Sequence, residues 1–171
     1  MKQKFINKEI WLLSTMGAFQ RANIYRQQVS ETVKSEFKAN LHAFINQLIE
    51  NVYKTNLSEE KHIKMIWSVS EYTKNNFTSV LNKGQLNFGV SQKLLNLYLK
   101  YLWCLECIPT PPHFPVDRII QNKLKVPKLY AWTQIESEKP YLEIIQHAKQ
   151  VLQNSTYSSL AELELHTFNR S

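Results

Sequence analysis

Apolar residues recur every three to four positions through most of the chain, the period of helices that each bury one face. The spacing predicts a first helix from Glu9 to Gln28, with Trp11, Leu12, Met16, Phe19 and Ile24 turned inward. Ser30 followed by Glu31 opens a second, running to about Lys54, whose Val33, Phe37, Leu41, Phe44, Ile45, Leu48 and Val52 trace one stripe. A third begins at Ser58, where Glu59 and Glu60 complement the positive end of the helix dipole, and continues through Ile63, Ile66, Trp67 and Val69 toward Leu81. Asn82-Lys83-Gly84 reads as a stop and turn, and Asn87-Phe88-Gly89 as a second short break. A helix then runs from about Ser91 to Cys107.

Four of the six prolines fall between Ile108 and Pro115, so that segment is read as a stiff, extended connector. Asp117 can cap a short helix through Leu124, and Val126 to Ser137 reads as irregular. Pro140 suits the first turn of a helix to Leu152, and Ser159 with Glu162 has capping-box spacing for a last helix to about Phe168. The expected fold is all-α: an irregular bundle of about seven helices in one domain spanning residues 1–171, without repeats or an internal linker.

The stretch from Ser91 to Cys104 departs from ordinary amphipathicity. Leu and aromatic residues occupy nearly every angular position, as in a helix enclosed by protein. Lys93, Asn96 and Lys100 nevertheless follow one another at spacings of three and four, as one polar stripe. Lysine is seldom buried without a partner, so the stripe faces either a cleft holding an anion or an exposed edge of solvent. The connector then delivers His113, Asp117 and Arg118. Each has an ordinary reading too: Asp117 as a helix cap, Arg118 as a surface residue, His113 as a hydrogen-bonding loop residue.

Charge narrows the partner. The 171 residues carry a formal net charge of +7. Between Lys61 and Lys128, ten basic residues stand against Glu71, Glu106 and Asp117, and the rest of the chain is balanced. Such a concentration, which includes Lys123 and Lys125, attracts polyanions such as nucleic acid by counterion release; a solvated face or a docking site for an acidic protein are the alternatives. Hydrophobic residues at 43% exclude a disordered chain, and three glycines disfavour a turn-rich β architecture. No apolar run approaches the roughly 18 residues of a membrane span, and a chain with two cysteines and no export signal is expected to be cytoplasmic, away from membranes.

Gly89-Val90-Ser91-Gln92-Lys93-Leu94-Leu95-Asn96, followed by Phe114-Pro115-Val116-Asp117-Arg118-Ile119-Ile120, resembles the central part of the helix-hairpin-helix DNA glycosylases, the superfamily that includes endonuclease III. The resemblance covers about a fifth of the chain. It implies a helix-hairpin-helix element, Lys93 as the nucleophile that attacks a sugar carbon and forms a Schiff base, and Asp117 as the carboxylate that stabilises positive charge on the sugar. It also implies that backbone amides around Gly89 and Ser91 hold a DNA phosphate. The chain departs from the pattern at Ser91, where the family has a second glycine, in a longer interval from Lys93 to Asp117, and in lacking a cysteine cluster for an iron–sulfur centre.

No metal or cofactor is expected. Cys104 and Cys107, with His113 six residues on, lack the second pair of ligands that structural zinc needs, and are read as small buried hydrophobes. Trp132 and Tyr130 can stack on bases or anchor their loop to the core.

Overall fold

Side-chain caps set most helix starts. In the computed structural model, which describes residues 1–168, α1 spans Lys2–Phe19, α2 Glu31–Val52, α3 Glu59–Phe77 and α4 Phe88–Cys104. They are followed by α5 (Arg118–Lys123), a 3₁₀ turn at Trp132–Gln134, α6 (Glu138–Gln153) and α7 (Leu160–Thr167). Ser30, Ser58, Asp117 and Ser159 each accept a hydrogen bond from a backbone N–H in the first turn of the helix they precede, as their positions in the sequence predict. The all-α expectation of about seven helices holds. No described helix is long and apolar enough to cross a membrane.

Two helices depart from their expected limits. α1 starts near the N-terminus and stops at Phe19, not Gln28, because the segment after it pairs with the segment after α3. Tyr25 bridges Leu81, Arg26 N–H donates to the Val80 carbonyl (3.0 Å), and Asn23 and Gln28 take positive φ. Its buried face consists of Ile10, Trp11, Ser14, Thr15 and Ala18; Leu12 and Met16, expected inside, are about half exposed. α4 begins at Phe88. Asn87 accepts the Val90 N–H at 3.0 Å, so the expected break is in fact the cap and first turn.

α4 runs through the middle of the molecule. α1 packs along it, α3 lies against another face, and the 3₁₀ turn crosses its N-terminus. Every residue from Phe88 to Leu99 is buried. One continuous hydrophobic cluster extends around it from Ile10 in α1 to Leu163 in α7. Gly89 allows the 3₁₀ segment to approach, since a Cβ there would lie 1.8 Å from the Trp132 carbonyl oxygen.

Two glutamines act as surrogate strands for the irregular segments. Gln92 donates from Nε2 to the Val116 carbonyl (2.8 Å) and accepts the Val116 N–H at Oε1 (3.1 Å). Gln121 treats Tyr130 in the same way (3.0 and 2.8 Å) and also donates to the Asp117 carbonyl (3.1 Å). These bonds satisfy backbone groups that an extended connector cannot pair by itself. They also fix where the connector meets α4.

Candidate functional site

The clamp from Gln92 to Val116 places the next residue of the connector beside the next residue of the helix. Lys93 Nζ donates to Asp117 Oδ2 at 2.6 Å, and both residues are at least nine-tenths buried. Asp117 Oδ1 meanwhile accepts the Ile120 N–H at 2.9 Å, so one carboxylate both caps α5 and holds the lysine. Burial pushes the Lys93 amine below the usual lysine range, and the Asp117 charge opposes that shift without cancelling it.

A cavity of about 450 Å³ opens above this pair, between α1, α4, the end of the connector, α5 and α7. From α4 it is lined by Lys93, Leu97, Lys100 and Tyr101, which share one helical face. Trp132 forms part of the wall, its ring 6.0 Å from Lys93 Nζ, and the Phe168 ring lies 4.7 Å from Lys100 Nζ. A second ion pair faces the same cavity: Lys100 Nζ lies 2.6 Å from Glu164 Oε2 of α7. The Glu164 side chain is 3% exposed, and burial raises its carboxyl above the ordinary range while Lys100 pulls the other way. Arg21 and Arg118 stand exposed at the mouth, and among the described residues neither has a carboxylate partner.

Family models, curated proteins and solved structures were each compared with the chain, and none matches. The site therefore has to be read from its own chemistry.

The cavity gathers Lys93, Lys100, Asp117 and Arg118, four of the residues singled out in the sequence. It leaves out Gly89, Ser91, Asn96, His113, Lys123 and Lys125. The Gly89 N–H donates to the Ile135 carbonyl (2.9 Å) and the Ser91 N–H to the Asn87 carbonyl (3.0 Å), so these amides are engaged inside the protein. The expected phosphate site at this helix start is thereby corrected: the 3₁₀ segment covers it.

Asn96 does not share the face of the two lysines. It points into a sealed network with His113, which corrects the expected stripe. His62 Nε2 contacts Asn96 Oδ1 at 2.9 Å; Asn96 Nδ2 donates to Gln92 Oε1 (3.2 Å) and to the Tyr141 hydroxyl (3.0 Å); that hydroxyl meets His113 Nδ1 at 3.0 Å. Because Asn96 offers His62 an acceptor, His62 carries its proton on Nε2, and its Nδ1 accepts from the Tyr53 hydroxyl (2.8 Å). The Tyr141 hydroxyl, which accepts from Asn96, donates to His113 Nδ1 and so leaves the His113 proton on Nε2. That atom lies 3.7 Å from Glu59 Oε1 and has no hydrogen-bond partner among the described residues. Burial drives both imidazoles down to about 3, so neither carries charge near neutrality.

The charge count also changes in three dimensions. Lys64, Lys83, Lys93 and Lys100 each hold a carboxylate, and three of those partners (Glu60, Glu136 and Glu164) lie outside the basic middle segment. Lys123 and Lys125 are exposed on and just after α5, on the element that carries Arg118 to the cavity mouth. Cys104 is exposed and Cys107 half-buried, so the reading of both as buried hydrophobes is corrected; α4 ends before its last turn can be enclosed. Among the described residues, no group of three or more His, Cys, Asp or Glu is placed to hold a metal ion.

Sequence reasoning missed Glu164, Gln92 and Arg21. Glu164 has a faint local signal, an acidic residue between Leu163 and Leu165 in a short apolar helix. Nothing near it in the chain announces its lysine partner.

Proposed function

We propose that this chain binds DNA and performs Schiff-base chemistry on it, as a DNA glycosylase or abasic-site lyase. The observation that carries this reading is the Lys93–Asp117 contact of 2.6 Å at the wall of an open cavity. One sugar can touch both side chains. A lysine nucleophile needs an accessible neutral amine, and burial at this position favours the neutral form.

Asp117 is placed to accept the Lys93 proton along their hydrogen bond, leaving a lone pair on Nζ. That pair attacks C1′ of an everted nucleoside, and the bond from C1′ to the base breaks with its electrons leaving on the base. The departing base takes up the proton that Asp117 received, which restores the carboxylate. Loss of one of the two protons left on nitrogen, with opening of the sugar ring as O4′ takes up a proton, then gives the protonated imine. Beside it, the Asp117 carboxylate stabilises positive charge that develops on the sugar. A cavity of about 450 Å³ with Trp132, Tyr101 and Phe168 around it suits an everted nucleoside, which needs apolar and aromatic surfaces to replace lost stacking. Arg21, Arg118, Lys123 and Lys125 are free to meet phosphates near the mouth.

A binder without catalysis, in which Lys93, Lys100 and Arg118 pair with phosphates, has less support. Two of those three cations are buried against carboxylates. The deciding experiment is borohydride trapping on duplex DNA containing an abasic site. A covalent adduct that requires Lys93 is expected; no adduct with the wild-type protein overturns the Schiff-base reading.

A further inference from the structure

The cavity holds two lysine–carboxylate pairs, and the proposed chemistry at the sugar uses only one. Lys93 and Lys100 are seven residues apart on the same face of α4, about 10 Å along the helix axis. That is the scale of a nucleoside laid lengthwise. With the sugar held at Lys93 and Asp117, the base extends toward Lys100 and Glu164. Glu164 Oε2 is buried and lies 2.6 Å from Lys100 Nζ, so the two charges hold each other at the cavity wall. A carboxylate has two oxygens, so Glu164 can hold Lys100 through Oε2 and still accept from a ligand through Oε1. Lys100 Nζ lies over the Phe168 ring, which leaves an aromatic surface beside the polar pair.

We infer that Lys100 and Glu164 form the base-recognition pair of this site, selecting bases that carry a carbonyl next to a ring N–H. This rests on the proposed glycosylase reading. The chemistry follows from what each group can exchange. Lys100 has donors only, and ionised Glu164 has acceptors only. A carbonyl beside a ring N–H, as in uracil or hypoxanthine, offers the matching acceptor and donor. The lysine also distinguishes such bases from amino-substituted ones. When the bond from C1′ to the base breaks, the electron pair spreads onto the exocyclic oxygen. An ammonium placed at that oxygen stabilises the charge as it forms, which an adenine or cytosine edge, lacking an exocyclic oxygen there, cannot exploit. Desolvation inside the cavity strengthens the effect.

The test uses the full-length protein and two isosteric comparisons: duplex DNA with hypoxanthine against adenine, and with uracil against cytosine, at one position. Single-turnover base release is measured alongside borohydride trapping on abasic DNA. The wild-type protein is expected to release hypoxanthine or uracil and to leave its amino counterpart in place. Lys100→Met is expected to slow that release by roughly a hundredfold, the size seen when one donor to a developing anion is removed. Glu164→Gln should slow it by about tenfold, as a charged acceptor for the ring N–H becomes a neutral one. Both should lose much less in trapping on abasic DNA than in base release, since the missing base removes their role in recognition.

Equal release of adenine and hypoxanthine, release of neither carbonyl base, or parallel loss of trapping and release in the variants would overturn the assignment. The wild-type comparison needs no substitution, so a variant that fails to fold does not blunt the test. If Lys100→Met and Glu164→Gln melt early, the double variant, which leaves no unpaired charge, takes their place with the same expected split. Trapping on abasic DNA without selective release refutes this inference alone. Absence of wild-type trapping removes the underlying reading, and this inference with it.

Discussion

α4 presents two buried polar faces, and they are built on opposite principles. Gln92 and Asn96 point to one side, into a neutral network with His62, His113 and Tyr141 in which hydrogen bonds consume nearly every donor and acceptor. Lys93 and Lys100 point to the other, where two ion pairs border a cavity. The neutral face fixes the connector and the helices around α4. The charged face keeps its groups beside empty space, where a ligand can exchange contacts with them. A buried polar residue thus reports structure or chemistry according to whether its partners leave it anything to do.

Four measurements would break or sharpen that contrast. The largest effect belongs to the charged face: Lys93→Ala is expected to abolish borohydride trapping on abasic DNA, a loss of at least about 10³-fold, corresponding to about 4 kcal/mol in transition-state terms. An alanine variant that still forms the adduct would move the nucleophile elsewhere.

On the neutral face the expected loss is in stability. Gln92→Leu strands the Val116 N–H and C=O as well as one donor of Asn96, and should cost roughly 3 kcal/mol in urea unfolding at neutral pH. Trapping per folded molecule should also fall, because Asp117 is no longer held opposite Lys93. A variant as stable as wild type would show that the connector is positioned by packing alone.

The third measurement is the pH dependence of stability. His62 and His113 are held at about 3 in the folded protein, against about 6.5 when unfolded. The unfolded chain therefore binds more protons than the folded one between those values, and stability rises with pH across that window. Acidification from about pH 6.5 to about pH 5 should remove on the order of 3 kcal/mol, roughly equal shares coming from the two imidazoles. A flat profile there would mean that the network opens and admits protons. The smallest effect is at the cavity mouth. Arg118→Ala should lower the slope of log affinity against log salt by about 1 for random duplex DNA while leaving melting unchanged. An unchanged slope would place the DNA backbone elsewhere.

The parts of this arrangement that could be read along the chain are those governed by neighbours in sequence. Ser30, Ser58 and Ser159 mark helix starts because a cap needs only the backbone one turn ahead. Asp117 was legible as a cap for the same reason, and the enclosure of Lys93 through the wide apolar arc of its helix. The errors lie where distant segments compete. Ile24 continues the α1 period, yet the chain breaks there because Tyr25 meets Leu81. Asn96 shares helical spacing with Lys93 and Lys100, yet it turns to His62, which stands 34 residues earlier. Glu164 has no sequence signature as the partner of Lys100, since α7 reaches the cavity only once the bundle is assembled.

By itself, then, the sequence determined the helices, the enclosed central one and the rigid connector after it, because capping, periodicity and proline geometry act over a few bonds. Tertiary structure decided which polar residues of that helix meet a cavity and which carboxylate each lysine receives. It also decided how much of the basic middle segment remains unpaired. The physical reason is range. A helix repeats every few residues whatever surrounds it, whereas an ion pair forms only where packing brings two remote side chains to within a few ångströms and withdraws water from both.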